Sequence, residues 1–211
     1  MGRSVLLMIV AGAMLVSACS DPAADKTKAV TGEAAKVASP AAAAQGQKYL
    51  ITTQNSKVEF VGSKVTGSHN GLFGEFSGQI DYSGTPEQSR VSITMKTDSL
   101  STDTPDLTKH LKTADFFDVA KYPEATFVST SIKAGGDKGA SHTVTGNLTL
   151  HGVTKAVTFP ATISVTPDVA TVDSTFSINR KDFGINYAGQ ADNLIRDDVV
   201  LKLTIRANKA S

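Results

Sequence analysis

From Tyr49 onward, apolar and polar residues alternate in short runs, and a period of two commits a segment to a strand with one apolar side. Val58, Phe60 and Gly62 share a side. Leu72, Phe76, Ile80 and Tyr82 keep one parity across Gly74 and Gly78, glycines suited to a bend or bulge. Val91, Ile93 and Met95 alternate with Ser, Thr and Lys, and Ala125, Phe127 and Ser129 form one face of a later run. Val144, Gly146, Leu148 and Leu150 follow, then Val157, Phe159, Ala161, Ile163 and Val165. Val172, Phe176 and Ile178, and finally Val199, Leu201, Leu203 and Ile205, complete the set. Gly135-Gly136-Asp137-Lys138-Gly139, His151-Gly152 and Thr166-Pro167-Asp168 punctuate the runs as turns. About eight such strands suit a sandwich or a closed antiparallel barrel. A barrel of about that size either encloses one small ligand or fills itself with side chains, and periodicity leaves both open.

One segment breaks the β pattern, HLKTADFFDVAKYPEATF from His110 to Phe127 with the residues just before it. Thr104 suits an N-cap, Pro105 the first helical position, and Asp106 the positive end of the helix dipole. Leu107, Leu111 and Ala114 recur at helical spacing, and Tyr122-Pro123 ends the segment. Phe116 and Phe117 lie too close to this short helix to escape the core it packs on. The element reads as a cap whose two phenylalanines either plug a barrel end or wall a pocket.

The N-terminus is a different text. Arg3, an apolar run from Val5 to Val16 and then Val16-Ser17-Ala18-Cys19 read as a signal peptide over residues 1–18, the run being too short to span a bilayer comfortably. Its end resembles the bacterial lipoprotein box, in which cleavage precedes the cysteine and the cysteine is acylated. Each buried methylene contributes about 0.8 kcal/mol, so several acyl chains on Cys19 anchor stably, as a single chain does not. Ser20 rather than Asp after the cysteine implies, by that resemblance, an outer-membrane lipoprotein facing the periplasm. Residues 19–47 are Ala-rich, contain Gly32 and Pro40 and lack aromatics, so they read as a lipidated cysteine and a flexible tether, with a reach of about 30 Å. Residues 48–209 form the folded domain.

Charge narrows the partners. With the leader removed, 20 basic residues balance 20 acidic ones, and no basic stripe exists to meet nucleic acid. A single cysteine excludes an intrachain disulfide and a Cys-based metal cluster. His69, His110, His142 and His151, with Asp98, Asp115 and Asp118 nearby, follow no metal-ligand or hydrolase spacing. His110 is expected to bond backbone at the cap and His151 to settle a turn, while Arg180 and Asp182 are placed to pair with each other. No catalytic residue, metal or cofactor is expected, and the chain does not read as an enzyme.

Four stretches carry a family resemblance. They are Phe73-Gly74 with Phe76-Ser77-Gly78, His110-Leu111 with Asp115-Phe116-Phe117-Asp118 and Tyr122-Pro123, Leu148 to Lys155 (LTLHGVTK), and Asn179 to Ile185 (NRKDFGI). In this order they resemble the YceI-like family over Tyr49 to Lys209. The resemblance implies an all-β fold with a short cap helix, an extended lipocalin-like antiparallel β-barrel. It also implies a lumen that binds, stores or carries a long isoprenoid lipid, a polyisoprenoid or isoprenoid quinone, as cargo in the cell envelope. Phe60, Phe76, Ile80, Met95, Phe127, Leu148, Phe159, Ile163, Phe176 and Leu203 are the candidate lining, with Phe116 and Phe117 controlling access at the cap. The alternative is a stress-related envelope lipoprotein whose barrel is filled and which acts through its surface. Expected partners are the lipid and the membrane through acylated Cys19; a homodimer is left open.

Overall fold

The protein is described by a computed structural model covering residues 21–36, 46–191 and 193–210. The leader, Cys19 and residues 37–45 lie outside the described residues. The strands are β1 (Thr27–Lys28), β2 (Val30–Gly32), β3 (Gln47–Thr52), β4 (Lys57–Lys64), β5 (Gly67–Phe73), β6 (Phe76–Tyr82), β7 (Arg90–Lys96), β8 (Leu100–Thr102), β9 (Glu124–Ala134), β10 (His142–Leu150), β11 (Val153–Val165), β12 (Val169–Asn179), β13 (Gly189–Gln190), β14 (Asn193–Leu194) and β15 (Asp198–Lys209). Among the described residues the one α-helix, α1 (Pro105–Leu111), sits between β8 and β9.

Eight strands close a barrel in the order β3-β6-β7-β9-β10-β11-β12-β15, because β15 pairs β12 along one edge and β3 at its far end along the other. All of these pairings are antiparallel. Over Val200 to Thr204 the same edge of β15 pairs β4 instead, and β4 continues through β5 to β8. This branch carries the chain over one end of the barrel and delivers α1 there. The expected antiparallel barrel with a short cap helix is the fold observed.

The turns explain themselves locally. His151 and Gly152, both with positive φ, make the two-residue hairpin between β10 and β11, and their twist matches that of the flanking strands. The imidazole Nδ1 donates to the Phe183 carbonyl at 3.2 Å, so His151 does settle a turn. At the opposite end, Tyr49, Ile51, Ile80, Ala170 and Ala207 fill the barrel, and the Tyr49 hydroxyl donates to the Thr166 carbonyl at 2.7 Å.

Four local expectations are corrected. Leu72 and Phe76 do not share one bent strand: the chain breaks at Gly74-Glu75, where Gly74 N–H donates to the Ser99 carbonyl, leaving Leu72 exposed and Phe73 buried. The helix stops at Leu111, so Ala114 is exposed beyond its end. Thr104 occupies the N-cap position, but its hydroxyl caps no amide; it turns instead to Asp103 and His69. Arg180 pairs with Asp197, while Asp182 accepts a hydrogen bond from the Thr31 hydroxyl at 2.7 Å.

The tether reading is corrected over residues 21–36, which lie on the barrel. β11 and β12 pair only from Thr162 to Val165 and then diverge. At the divergence stands Pro160, whose carbonyl accepts from the Ser174 hydroxyl. In a strand the nitrogen points to the same side as the carbonyl, and a proline nitrogen has no hydrogen to give. The N-terminal segment fills the opening: β1 pairs β12 in parallel at Phe176 and Ser177, and β2 pairs β11 at Ala156 to Thr158. Ala29 is buried there, and Ala29 N–H donates to the Ser177 carbonyl at 2.8 Å. Lys28 pairs with Asp198 and Asp21 with Arg196. Order in this segment comes from ladder hydrogen bonds and ion pairs to distant strands, which leave no apolar period in the sequence.

Candidate functional site

The barrel is hollow. A cavity of about 780 Å³ lies between two hydrophobic clusters, one built on β3 to β8 and the cap, the other on β9 to β12. Leu150, Leu201 and Leu203 touch both clusters and form part of the wall. The volume falls within the range of small-molecule sites, whose walls are mostly apolar with a few placed polar groups. The filled-barrel alternative does not describe this lumen.

Nine of the twelve residues singled out in the sequence line the cavity: Phe60, Met95, Phe116, Phe117, Phe127, Leu148, Phe159, Phe176 and Leu203. Phe76, Ile80 and Ile163 do not, which corrects their assignment. Phe76 and Ile80 are buried in the first cluster, Ile80 where Tyr49 and Ile51 close the barrel, and Ile163 packs beside the second. Inward parity puts a side chain toward the axis; it does not say whether the axis is occupied at that height.

Two aromatic groups build the walls. Phe159 and Phe176 stack with ring centres 4.2 Å apart, and Phe127 tilts against Phe159 at 5.7 Å. Phe60 reaches over a small residue, for a β-carbon on Gly71 would stand 2.2 Å from its Cζ. Phe117 meets Phe60 and Phe73 on one side of the mouth, with ring centres 6.5 and 5.9 Å away. On the other side Phe116, His110 and Tyr187 form a triangle with ring centres 5.1 to 5.2 Å apart. His110 does not bond backbone as expected; its Nε2 stands 2.8 Å from the Asp115 carboxylate.

The NRKDFGI stretch makes the polar floor of the mouth. Asn179 caps a 3₁₀ turn, Arg180–Phe183, by accepting the Lys181 N–H at 2.9 Å, and Gly184 ends it with a left-handed φ of 74°. Arg180, only 4% exposed, donates to the carbonyls of Ile185 (2.7 Å), Arg196 (3.1 Å) and Ile195 (3.4 Å) and to Asp197 (3.4 Å). Burial pushes its guanidinium pKa down and Asp197 opposes the shift. Composition and spacing contained no sign that this arginine would be buried; the motif that contains it was the only pointer.

Asp103, His69 and Thr104 come together at the rim but are not a nucleophilic relay. Asp103 and the Thr104 hydroxyl both address Nδ1 of His69, at 2.9 and 3.4 Å, whereas a relay needs carboxylate and nucleophile on opposite ring nitrogens. The Asn70 N–H and His69 hold the Asp103 carboxyl below the usual carboxylate range. Among the described residues no cluster of three metal-ligating side chains occurs.

Comparison with known proteins agrees with this architecture. The YceI-like domain family matches residues 49–207. A UPF0312 protein of Pseudomonas putida is 42% identical over 137 residues, covering 62% of this chain and 70% of the relative. Among solved structures, Burkholderia cenocepacia BcnA is 27% identical with a TM-score of 0.63, covering 74% of this chain and 99% of its own. The Campylobacter jejuni YceI protein is 26% identical with a TM-score of 0.59, covering 67% of this chain and 85% of its own. A polyisoprenoid-binding domain from Saccharophagus degradans, 18% identical with a TM-score of 0.61 over 77% of this chain and 98% of its own, shares the fold. A barrel of this topology, with the Asn179 to Ile185 turn at its mouth and the family match running from 49 to 207, makes the chain a member of the YceI-like family.

Proposed function

We propose that the protein binds a long-chain isoprenoid lipid, a polyisoprenoid or an isoprenoid quinone, and stores or carries it in the bacterial envelope without chemical conversion. The observation that carries this reading is the hollow lumen of about 780 Å³, walled by phenylalanine and leucine and framed at its mouth by Phe116 and Phe117. Apolar surface entering it gains about 25 cal/mol per Å². A flexible prenyl chain can follow such a wall without polar fixing points along its length. The polyisoprenoid-binding neighbour of the same fold supports the ligand class.

The same end of the molecule supports the anchoring reading. Asp21 pairs at 3.2 Å with Arg196, which lines the cavity, and an acylated Cys19 would join the chain only two residues earlier, a contour of about 7 Å. The rim there exposes Val65 and Leu194, joined by a Val65 N–H to Leu194 carbonyl bond of 3.3 Å. A lipid anchor at this point would hold the mouth toward the outer-membrane surface, so that cargo partitions from bilayer to barrel over a short distance.

The test is native mass spectrometry of the chain from Ser20 onward, purified without detergent, followed by identification of whatever organic solvent releases. A stoichiometric prenyl lipid is the expected result. A chain that stays empty after exposure to quinone and polyprenyl vesicles would overturn the reading. Fatty-acid labelling that persists in a Cys19→Ser variant would overturn the anchor.

A further inference from the structure

Three buried side-chain atoms among the described residues have no hydrogen-bond partner: Ser63 Oγ, Arg196 Nε and Asp198 Oδ1. The last faces Lys28, whose ammonium lies 2.8 Å away, and is outside the cavity lining. The other two belong to residues that line the cavity at its mouth. They are neighbours, because Arg196 N–H donates to the Ser63 carbonyl at 2.9 Å and the flanking Lys64 and Ile195 form a β-bridge. Ser63 is 5% exposed, so its hydroxyl has lost water without gaining a partner. Such a group is costly in a folded protein and calls for an explanation in each case.

We propose that Ser63 Oγ–H and Arg196 Nε–H form a head-group site at the mouth of the lumen, taking the oxygen acceptor at the polar end of a long apolar ligand. The inference rests on the lipid-binding reading and adds the chemistry of the ligand's end. Three neighbouring groups at the mouth are already engaged: Arg180 with three carbonyls and Asp197, His110 with Asp115, His69 with Asp103. Asp21 takes Nη1 of Arg196 at 3.2 Å, which holds the guanidinium in place while Nε remains unspent. Two donors on residues paired across one bridge suit one oxygen that accepts twice. A quinone carbonyl and a prenyl phosphate oxygen both meet that description; a bare hydrocarbon does not.

The experiment measures binding of three probes to the full chain carrying Cys19→Ser: a prenyl quinone, a polyprenyl monophosphate and squalene, a hydrocarbon without a head group. Ser63→Ala and Arg196→Lys, which removes Nε but keeps the charge facing Asp21, are compared with this parent. Each variant is expected to weaken the quinone, the phosphate or both about tenfold, the loss of roughly one hydrogen bond, and to leave squalene unchanged. Whichever oxygen ligand responds names the head group. Equal losses for all three probes, or none for any, would overturn the head-group site while leaving lipid binding intact. A parent that binds none of the three would overturn both readings. Ser63→Ala is also expected to melt at the same temperature as the parent or higher when empty, since it removes an unsatisfied hydroxyl; a clear drop would assign Ser63 a structural role and overturn the proposal.

Discussion

The ring of Phe127 lies across Gly146 of the neighbouring strand so closely that a β-carbon on Gly146 would stand 2.3 Å from its Cζ. The pair sits beside the one irregularity between β9 and β10, where the register shifts between Thr145 and Gly146. The bulge and the missing side chain together give the aromatic ring room on the barrel wall.

Gly146→Ala is therefore expected to cost about 1 to 3 kcal/mol, the range for overpacking a close-packed core. Because Phe127 lines the lumen, a ring pushed off Gly146 takes up lumen space, and lipid capacity should fall as well. Urea denaturation and ligand titration of the same variant check the two effects together.

Arg180→Ala should cost about 3 to 5 kcal/mol, because it leaves the carbonyls of Ile185, Ile195 and Arg196 without their donor, while Asp197 keeps only Lys181. Arg180→Lys should recover little, since one ammonium cannot reproduce a planar fork that spans three carbonyls. Denaturant midpoints of the two variants against the parent decide this.

The Asp103 carboxylate accepts the Asn70 N–H at 3.0 Å and joins β5 to the start of α1, with its pKa lowered in the fold. A depressed carboxylate stabilises fully above its unfolded value near 3.9, and the contribution disappears as pH falls through the folded value. The stability difference between parent and Asp103→Asn should shrink as pH falls below about 4. Urea titrations across that range check the sign; a difference that grows in acid would contradict it.

Deleting residues 21–36 uncovers the edges of β11 and β12 that β1 and β2 now pair. Ladder bonds of about 1 kcal/mol each are offset by an ordering cost of similar size per residue, so the stability change should be small. The larger effects should be faster amide exchange at Ala156 to Thr158 and at Phe176 to Ser177, and self-association through the freed edges. Hydrogen exchange and sedimentation of the truncated chain measure both.

Most strand parities, the turn positions and the start of a helix after Thr104 were legible from residue type, because a period of two and the backbone demands of Gly and Pro are local properties; the break at Gly74-Glu75, which exposes Leu72 and buries Phe73, was not. His151-Gly152 and the Gly135 to Gly139 loop fell where the turn chemistry placed them. The apolar inner faces of the long strands were equally visible, and seven lining residues could be named from them, with Phe116 and Phe117 from the cap. Only the tertiary structure decided which inward residues meet open space. Ile80 and Phe60 have the same parity and similar burial, yet Ile80 packs where Tyr49 and Ile51 fill the barrel while Phe60 faces the lumen. The burial of Arg180 and the unspent donors of Ser63 and Arg196 also depend on strands far apart in sequence. So does the docking of residues 21–36, which bury little beyond Ala23 and Ala29 and are held by backbone ladders. An inward side chain announces itself by alternation along one strand; a void, or a hydrogen bond closed across the barrel, depends on the relative heights of strands that no single strand records.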